Sequence, residues 1–434
     1  MARWPASVPL AALVSGDQGA WSRWSVLALP GAWRALPASA DGAAAAAWLS
    51  ELSRQGRGRA RLPGDGGWLV QLSYELGAAF EPATGAKARD RAAWPLAQAA
   101  PIEAAAVHDA VTGRWFRVGG EHPDWDRVEA AMHGPAIDAS FRLDRPAPAS
   151  SDDAYAALVS RTVEWIHAGD LFQANVARLW HARGHGDPRA FALSALGASH
   201  ARYGAWLETP AGLLVSMSPE LFLRLDADGG VVTRPIKGTR PAGSDAEEFL
   251  RSEKDAAELH MIVDLMRNDL ARACEPGSVR VRQSRVAEPH ATVLHGVAEV
   301  EGRLRPGVDA AGLLAATFPP GSVTGAPKVR AMQVIRELEG FDRGPYCGAI
   351  GLLGADGSLS LNVAIRTATL RPDGADGWHV RYAAGCGIVS DSDAMQEVRE
   401  THAKAAVLLR AAEPLSRAAA GAPAPAARAA RSAP

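Results

Sequence analysis

The spacing of apolar residues along the chain changes repeatedly from period two to helical. At 212–225, GLLVSMSPELFLRL predicts a strand; DADGG follows as a turn at 226–230 and VVTRPIK returns, so the whole predicts a hairpin. A second hairpin is predicted for 347–366, turning at Asp356-Gly357. In its return strand Leu359, Leu361, Val363 and Ile365 alternate with Ser360, Asn362, Ala364 and Arg366, which puts Arg366 on the more polar face of a half-buried strand. Helical spacing predicts helices near 246–270, 308–317, 326–338 and 393–411, and another at 154–168 that the Ser/Asp end of DRPAPASSDD (144–153) can cap. No solenoid repeat interrupts this order. Large antiparallel sheets covered by helices are the architecture it predicts.

Composition bounds the rest. The chain has 434 residues, 47% hydrophobic and 22% charged, with 46 Lys+Arg against 48 Asp+Glu and a net charge of −2. A balanced charge argues against a nucleic-acid binder, which needs a basic surplus, and no apolar run approaches the roughly 20 residues that cross a bilayer. The amino-terminal patch is broken by Pro5 and Pro9 and makes a poor signal peptide. Cys274, Cys347 and Cys386 form no CxxC pair, which suits reduced thiols, small core residues and a cytoplasmic location. Residues 1–150 are rich in Ala, Trp, Gly and Pro. The Ala43–Ala47 run reads there as helix and LPGDGG at 62–67 as a turn. The linker-like 144–153 divides this amino-terminal portion from a 151–412 portion, and 413–434 is an Ala/Pro/Arg tail expected to be disordered.

Several groups could do chemistry. Asp255 and Glu258 are i and i+3 on one predicted helix; Glu397, Glu400 and Lys404 are i, i+3 and i+7 on another. If the helices meet, the carboxylates make a hard-oxygen site suited to Mg²⁺; otherwise they are two solvated faces. Lys237 ends an apolar strand and is followed by Gly238 and Thr239, so a nucleophilic amine beside a close backbone approach is one reading, an exposed strand-end lysine the other. Counting across the hairpin, Glu220 falls opposite residue 236 or 237, depending on the loop register. PPGSVTGAPK at 319–328 could hold an anion at its helix start with Lys328 nearby, but it lacks P-loop order and suits a structural turn as well. Gly385 and Gly387 could present amides to a carboxylate, and His295 could be an acid/base group or a structural histidine.

VSMSPELF, TRPIKGTR, AELHMIVDLMRNDL, FPPGSVTGAPKVRAM, CGAIGLL, IRTA, AGCGIV and EVRETHAKA occur in an order that resembles the chorismate-utilising enzymes, which include anthranilate, aminodeoxychorismate, isochorismate and salicylate synthases. GDLFQANVAR at 169–178 and SYELGAAFE at 73–81 extend the match. The resemblance implies one large α+β sandwich of two mainly antiparallel sheets flanked by helices, with the active site between the sheets. It implies Glu258 and Glu400 as Mg²⁺ ligands, and Asp255 and Glu397 as an outer shell. Backbone amides at Gly238, Thr239 and Gly387, with Lys404, would complete the pocket for the ring carboxylate. Arg366 and Gly385 match positions that receive the enolpyruvyl carboxylate, and His295 and Thr324 line the ring. Gln173 stands where water-adding members carry Lys, which disfavours that chemistry. Lys237, in PIKGT, matches aminodeoxychorismate synthases, whereas anthranilate synthases read PIAGTR.

The implied reaction is Mg²⁺-dependent amination of chorismate at C4, with Lys237 as nucleophile, Glu220 as general acid and ammonia from a separate glutamine amidotransferase subunit. The alternatives are amination at C2 with pyruvate loss, as in anthranilate synthase component I, and a non-catalytic chorismate- or tryptophan-binding regulator. Two departures stand out: Leu352 replaces a Tyr usual after GAIG, and Arg202 in HARYGAW replaces a Pro of the tryptophan motif, although Ser15 and the WSRW segment at 21–24 echo its other half.

Overall fold

The apolar run at 212–225 breaks at Pro219, and the break divides two sheets. Proline cannot donate to a ladder, so one strand ends at Gly212–Ser218 and another begins at Leu221–Leu225. The single predicted strand is therefore two, in different sheets. The computed structural model describes residues 1–16, 21–55, 62–85, 94–137, 139–290, 293–374 and 376–411. The expected disordered tail at 413–434 lies outside them.

In the first sheet the antiparallel strands Trp24–Pro30, Ala11–Val14, Tyr203–Thr209, Gly212–Ser218, Thr367–Pro372, Gly377–Ile388 and Gln173–Gly186 are neighbours in that order. In the second, Arg280–Pro289, Val293–Arg303, Gly230–Arg234, Leu221–Leu225, Leu359–Val363, Ala349–Leu353 and Trp68–Leu72 follow one another in the same sense. The 13-residue strand Ala97–Asp109 joins the two, pairing with Trp68–Leu72 through its first half and with Trp24–Pro30 through its second. Strands from the amino-terminal part thus sit in both sheets.

The predicted helices form with adjusted ends. Ser151 caps Asp152–His167 by accepting the Ala154 N–H, as its Ser/Asp sequence suggests. The 246–270 segment is two helices, Ala246–Leu250 and Glu253–Ala271, because Ser252 caps a new start with its hydroxyl on the Asp255 N–H. Leu259, Ile262, Val263, Met266 and Leu270 of the longer helix are buried, at the i, i+3, i+4 spacing that seats a helix on a sheet. Cys274, Cys347 and Cys386 are all buried free thiols, in keeping with core residues.

Two local departures place the site. The hairpin turn at 226–229 is as expected, but a bulge between Leu221 and Arg224 shifts the register by one. Leu221 faces Arg234, so Glu220 falls opposite Pro235 and not opposite 236 or 237. The return strand of the second hairpin ends at Val363, and Arg366 lies beyond it with φ +51°, a left-handed conformation rare for a long side chain. Arg366 is therefore on a turn between the sheets and not on a strand face.

Candidate active site

Lys237 owes its direction to a bulge. The strand Ile236–Pro241 pairs Ile236 with Val297 and Thr239 with His295, so Lys237 and Gly238 share one partner position. Gly238 has φ +77°, and a side-chain carbon there would meet the Phe249 ring at 2.9 Å and the Asp255 carboxyl carbon at 3.1 Å. Only glycine fits this bulge, which turns the strand and re-aims the lysine. The lysine crosses to the first sheet: a Cβ built on Gly387 would stand 2.8 Å from Lys237 Nζ and 3.2 Å from Gln173 Nε2. Gln173 is fully buried, and neither atom of its amide has a hydrogen-bond partner. Orphaned buried amides are costly, and this one has both a donor and an acceptor to offer a ligand.

Glu220 is the acid of the group. It sits in the crossing between the sheets, its backbone pinned by the Val363 N–H on its carbonyl at 3.0 Å and by Ser218 Oγ on its own N–H at 3.2 Å. Burial pushes its carboxyl up to about 7, against the opposing pull of the Ser322 hydroxyl, the Lys237 charge, the Ile236 N–H and the Arg366 charge. A carboxyl that keeps its proton near neutrality can donate it to a departing group. Ser322 was not singled out in the sequence; its only signal is its place in the Gly/Pro-rich loop.

His295 is 2% exposed. Burial first, then the positive charge of Arg366 and the neighbouring His290 ring, hold its imidazole down to about 3, so it is neutral. Nδ1 lies 2.9 Å from Thr239 Oγ1, while Nε2 is buried without a partner. A neutral ring with one nitrogen fixed and the other open suits a polar contact to a ligand more than proton transfer at neutral pH.

Of the four acidic groups, the structure gathers two on one helix: ligand atoms of Glu397, Glu400 and Cys386 lie within 4.8 Å of one another, while Glu258, on the helix Glu253–Ala271, is not part of that group and is linked to it through the Glu397 charge. Burial pushes Glu258 up, and Lys237 and Lys254 oppose it; partial burial pushes Glu400 the same way, but Lys404, Lys237 and the Cys386 thiol draw it below the ordinary range. Lys404 Nζ lies 2.7 Å from Glu400 Oε1 and donates to the Gly385 carbonyl at 2.7 Å. Burial raises the Cys386 thiol, leaving it a hydrogen-bond donor and the carboxylates as the hard ligands. This oxygen set fits Mg²⁺. Asp255 is otherwise engaged, accepting from Arg240 Nη2 at 2.7 Å with Arg285 at 3.9 Å, so it flanks the cluster as an ion-paired support.

The glycine amides face the site for a reason the ladder supplies. Gly385 and Gly387 pair with Ala177 and Asn175, whose N–H groups go to Glu339 and the Thr324 carbonyl. These are therefore non-hydrogen-bonded pairs, and the two glycines direct their own N–H and C=O away from the partner strand; the Lys404 bond to the Gly385 carbonyl agrees. Thr324 stands one step back, with its hydroxyl on the Pro320 and Gly321 carbonyls. Lys328 does not serve an anion: half-buried, it bonds Asp269 at 2.5 Å and the Thr317 and Pro319 carbonyls, pinning the loop. At the tryptophan-motif echo, Ser15 Oγ donates to the Trp24 and Arg202 carbonyls, and Arg202 is ion-paired to Glu288. Arg224 and Arg234 each lie 4.5 Å from the centre of the Trp21 ring. Leu352 packs in an apolar cluster with Leu69 and Ile350.

The profile of the family described as chorismate binding enzyme matches residues 30–410. The chain belongs to this family. As a chorismate binding enzyme it is 43% identical to aminodeoxychorismate synthase component 1 of Klebsiella aerogenes over 55% of this chain, and spans only 53% of that protein. It is 35% identical to an anthranilate synthase component 1 of Haloarcula marismortui, covering 92% of this chain and 86% of that one. Among solved structures it resembles anthranilate synthase component I of Streptococcus pneumoniae, with a TM-score of 0.78, 28% identity, and coverage of 90% and 93% of the two chains. Among the described residues no helix is long and apolar enough to cross a membrane.

Proposed function

We propose that this chorismate binding enzyme aminates chorismate at C4 with ammonia, giving 4-amino-4-deoxychorismate. The observation that carries the reading is the amine of Lys237 brought to Gly387 and the Gln173 amide, with the proton-retaining acid Glu220 beside it.

In the first step Lys237 Nζ forms a bond to ring C2, the two ring double bonds shift, and the C4 hydroxyl leaves as water with the proton of Glu220. In the second, ammonia bonds to C4, the double bonds shift back, and the C2–N bond to Lys237 breaks. The new ammonium returns a proton to Glu220, so the sum is chorismate plus ammonia to aminodeoxychorismate plus water. The Gly385 and Gly387 amides, Arg366 and neutral His295 orient the dianion; Gln173, uncharged, offers no base to activate water. Glu258 and Glu400, with Glu397 behind them, would hold Mg²⁺, which when bound polarises the ring through its carboxylate.

Relatives named component 1 support a second component; in this reading it is a glutamine amidotransferase that supplies the ammonia, and both work in the cytoplasm. Anthranilate synthase component I remains the second reading, because relatives of that name match as well. Mixing enzyme, Mg²⁺ and chorismate without ammonia should leave a ring adduct on the peptide containing Lys237, seen by mass spectrometry. A fully active enzyme that never forms it would defeat the mechanism.

A further inference from the structure

Behind the glycine amides lies an ion pair that the proposed chemistry does not use. Glu339 is 2% and Arg343 6% exposed, and the arginine fork meets the carboxylate through Nε to Oε2 at 2.8 Å and Nη2 to Oε1 at 2.6 Å. The pair also bonds to backbone. Glu339 Oε1 accepts the Ala177 N–H at 2.7 Å; Arg343 Nη2 donates to the Asn175 carbonyl at 2.5 Å and Nη1 to the Val323 carbonyl at 3.0 Å. The backbone of the pair is held in turn, since Glu75 accepts the Arg343 and Gly344 N–H groups.

Removing two charges from water costs several kcal/mol, and an apolar pair of similar volume would often stabilise a fold as well or better. The positions held explain the expense. Ala177 and Asn175 are the strand partners of Gly385 and Gly387, and Val323 follows Ser322, whose hydroxyl reaches Glu220. Along this edge the neighbouring strand Gly325–Ala326 reaches only Gln173 and Ala174. At the Asn175 carbonyl and the Ala177 N–H the pair takes the place of a strand, and its fork geometry fixes this stretch of edge as a flexible lysine could not.

We infer that Glu339 and Arg343 are positioning residues for catalysis: together they set the strand opposite the Gly385 and Gly387 amides and the turn that carries Ser322 to Glu220. The inference rests on the site assignment above, and a misplacement of about 1 Å in the groups that hold a site can cost on the order of 100-fold in rate.

The test uses the full chain with Mg²⁺, and the variants Arg343→Lys and Glu339→Gln. Chorismate affinity is measured by equilibrium dialysis and chorismate consumption by absorbance, both per folded molecule from the thermal melt. The expected result is a cooperative melt with at least about tenfold weaker chorismate binding and a lower kcat in each variant. A lowered Tm with wild-type affinity and wild-type kcat would overturn the inference, leaving the pair purely structural. If Arg343→Lys does not fold, Glu339→Gln carries the same comparison, since it keeps the volume and one acceptor. Because binding and consumption are read whatever the product, a wild type that makes anthranilate would sink the C4 assignment and leave this test standing.

Discussion

A methyl group on Gly387 would stand 2.8 Å from the side-chain nitrogen of Lys237, closer than such contacts allow. The two residues come from different sheets, so the two sheets approach each other at this point. Gly387→Ala should therefore leave the fold intact, because the obstacle is a flexible lysine tip, while pushing the amine from its place. The expected loss is about 100-fold in kcat/KM for chorismate with little change in Tm. Wild-type kinetics in this variant would show that Lys237 works from another position or not at all.

Glu220 is expected to set both a rate limb and a stability trend. Its carboxyl keeps its proton to about pH 7 when folded, against an ordinary 4.5. Between these values the folded state binds more protons than the unfolded one, so this group makes stability fall as pH rises through that window. As a general acid it also makes kcat fall as pH rises past about 7. Glu220→Gln should cost about 100-fold or more in kcat, yet gain up to about 3 kcal/mol of stability at pH 8. Denaturant melts and pH–rate profiles of the two proteins check both signs.

His295 should stay neutral throughout the working range. With its imidazole held down to about 3, it contributes no titration between pH 5 and 8. Nitrogen-15 chemical shifts of the labelled ring should remain those of a neutral imidazole at pH 5.5, and His295→Ala should raise KM for chorismate more than it lowers kcat. A ring that protonates near pH 6.5 would contradict the contact role.

Removal of Mg²⁺ should be local in effect. Chelation is expected to stop chorismate consumption without altering the circular dichroism spectrum, because Lys404 and Lys254 already offset part of the carboxylate charge. Glu258→Gln should raise the Mg²⁺ concentration needed for half-maximal rate by at least about tenfold. Unchanged metal dependence would remove Glu258 from the ligand set.

Much of this was legible in the sequence because local rules and contacts agree. The hairpin turns at Asp226 and Asp356-Gly357, the Ser151 cap and the helix carrying Glu397, Glu400 and Lys404 follow from residues within a few positions. Three features did not follow, and each rests on long-range geometry. Pro219 sends one apolar run into two sheets, which periodicity cannot distinguish from a single strand. The bulge at Leu221–Arg224 moves Glu220 by one position, and register depends on partners far along the chain. Ser322 and the Glu339–Arg343 pair gain the roles proposed for them mainly through residues 100 or more positions away. Lys328 shows the opposite case: beside a glycine-rich loop both an anion site and a structural turn were open, and its bonds to Asp269 and to the Thr317 and Pro319 carbonyls decide for the turn.

Product identity tests the central claim most directly. The enzyme is incubated with chorismate, Mg²⁺ and excess ammonium, and the mixture is read for anthranilate fluorescence and, after adding an aminodeoxychorismate lyase, for 4-aminobenzoate. Amination at C4 through Lys237 and Glu220 gives 4-aminobenzoate only when the lyase is present, and no anthranilate above background. Anthranilate as the main product without the lyase would contradict it.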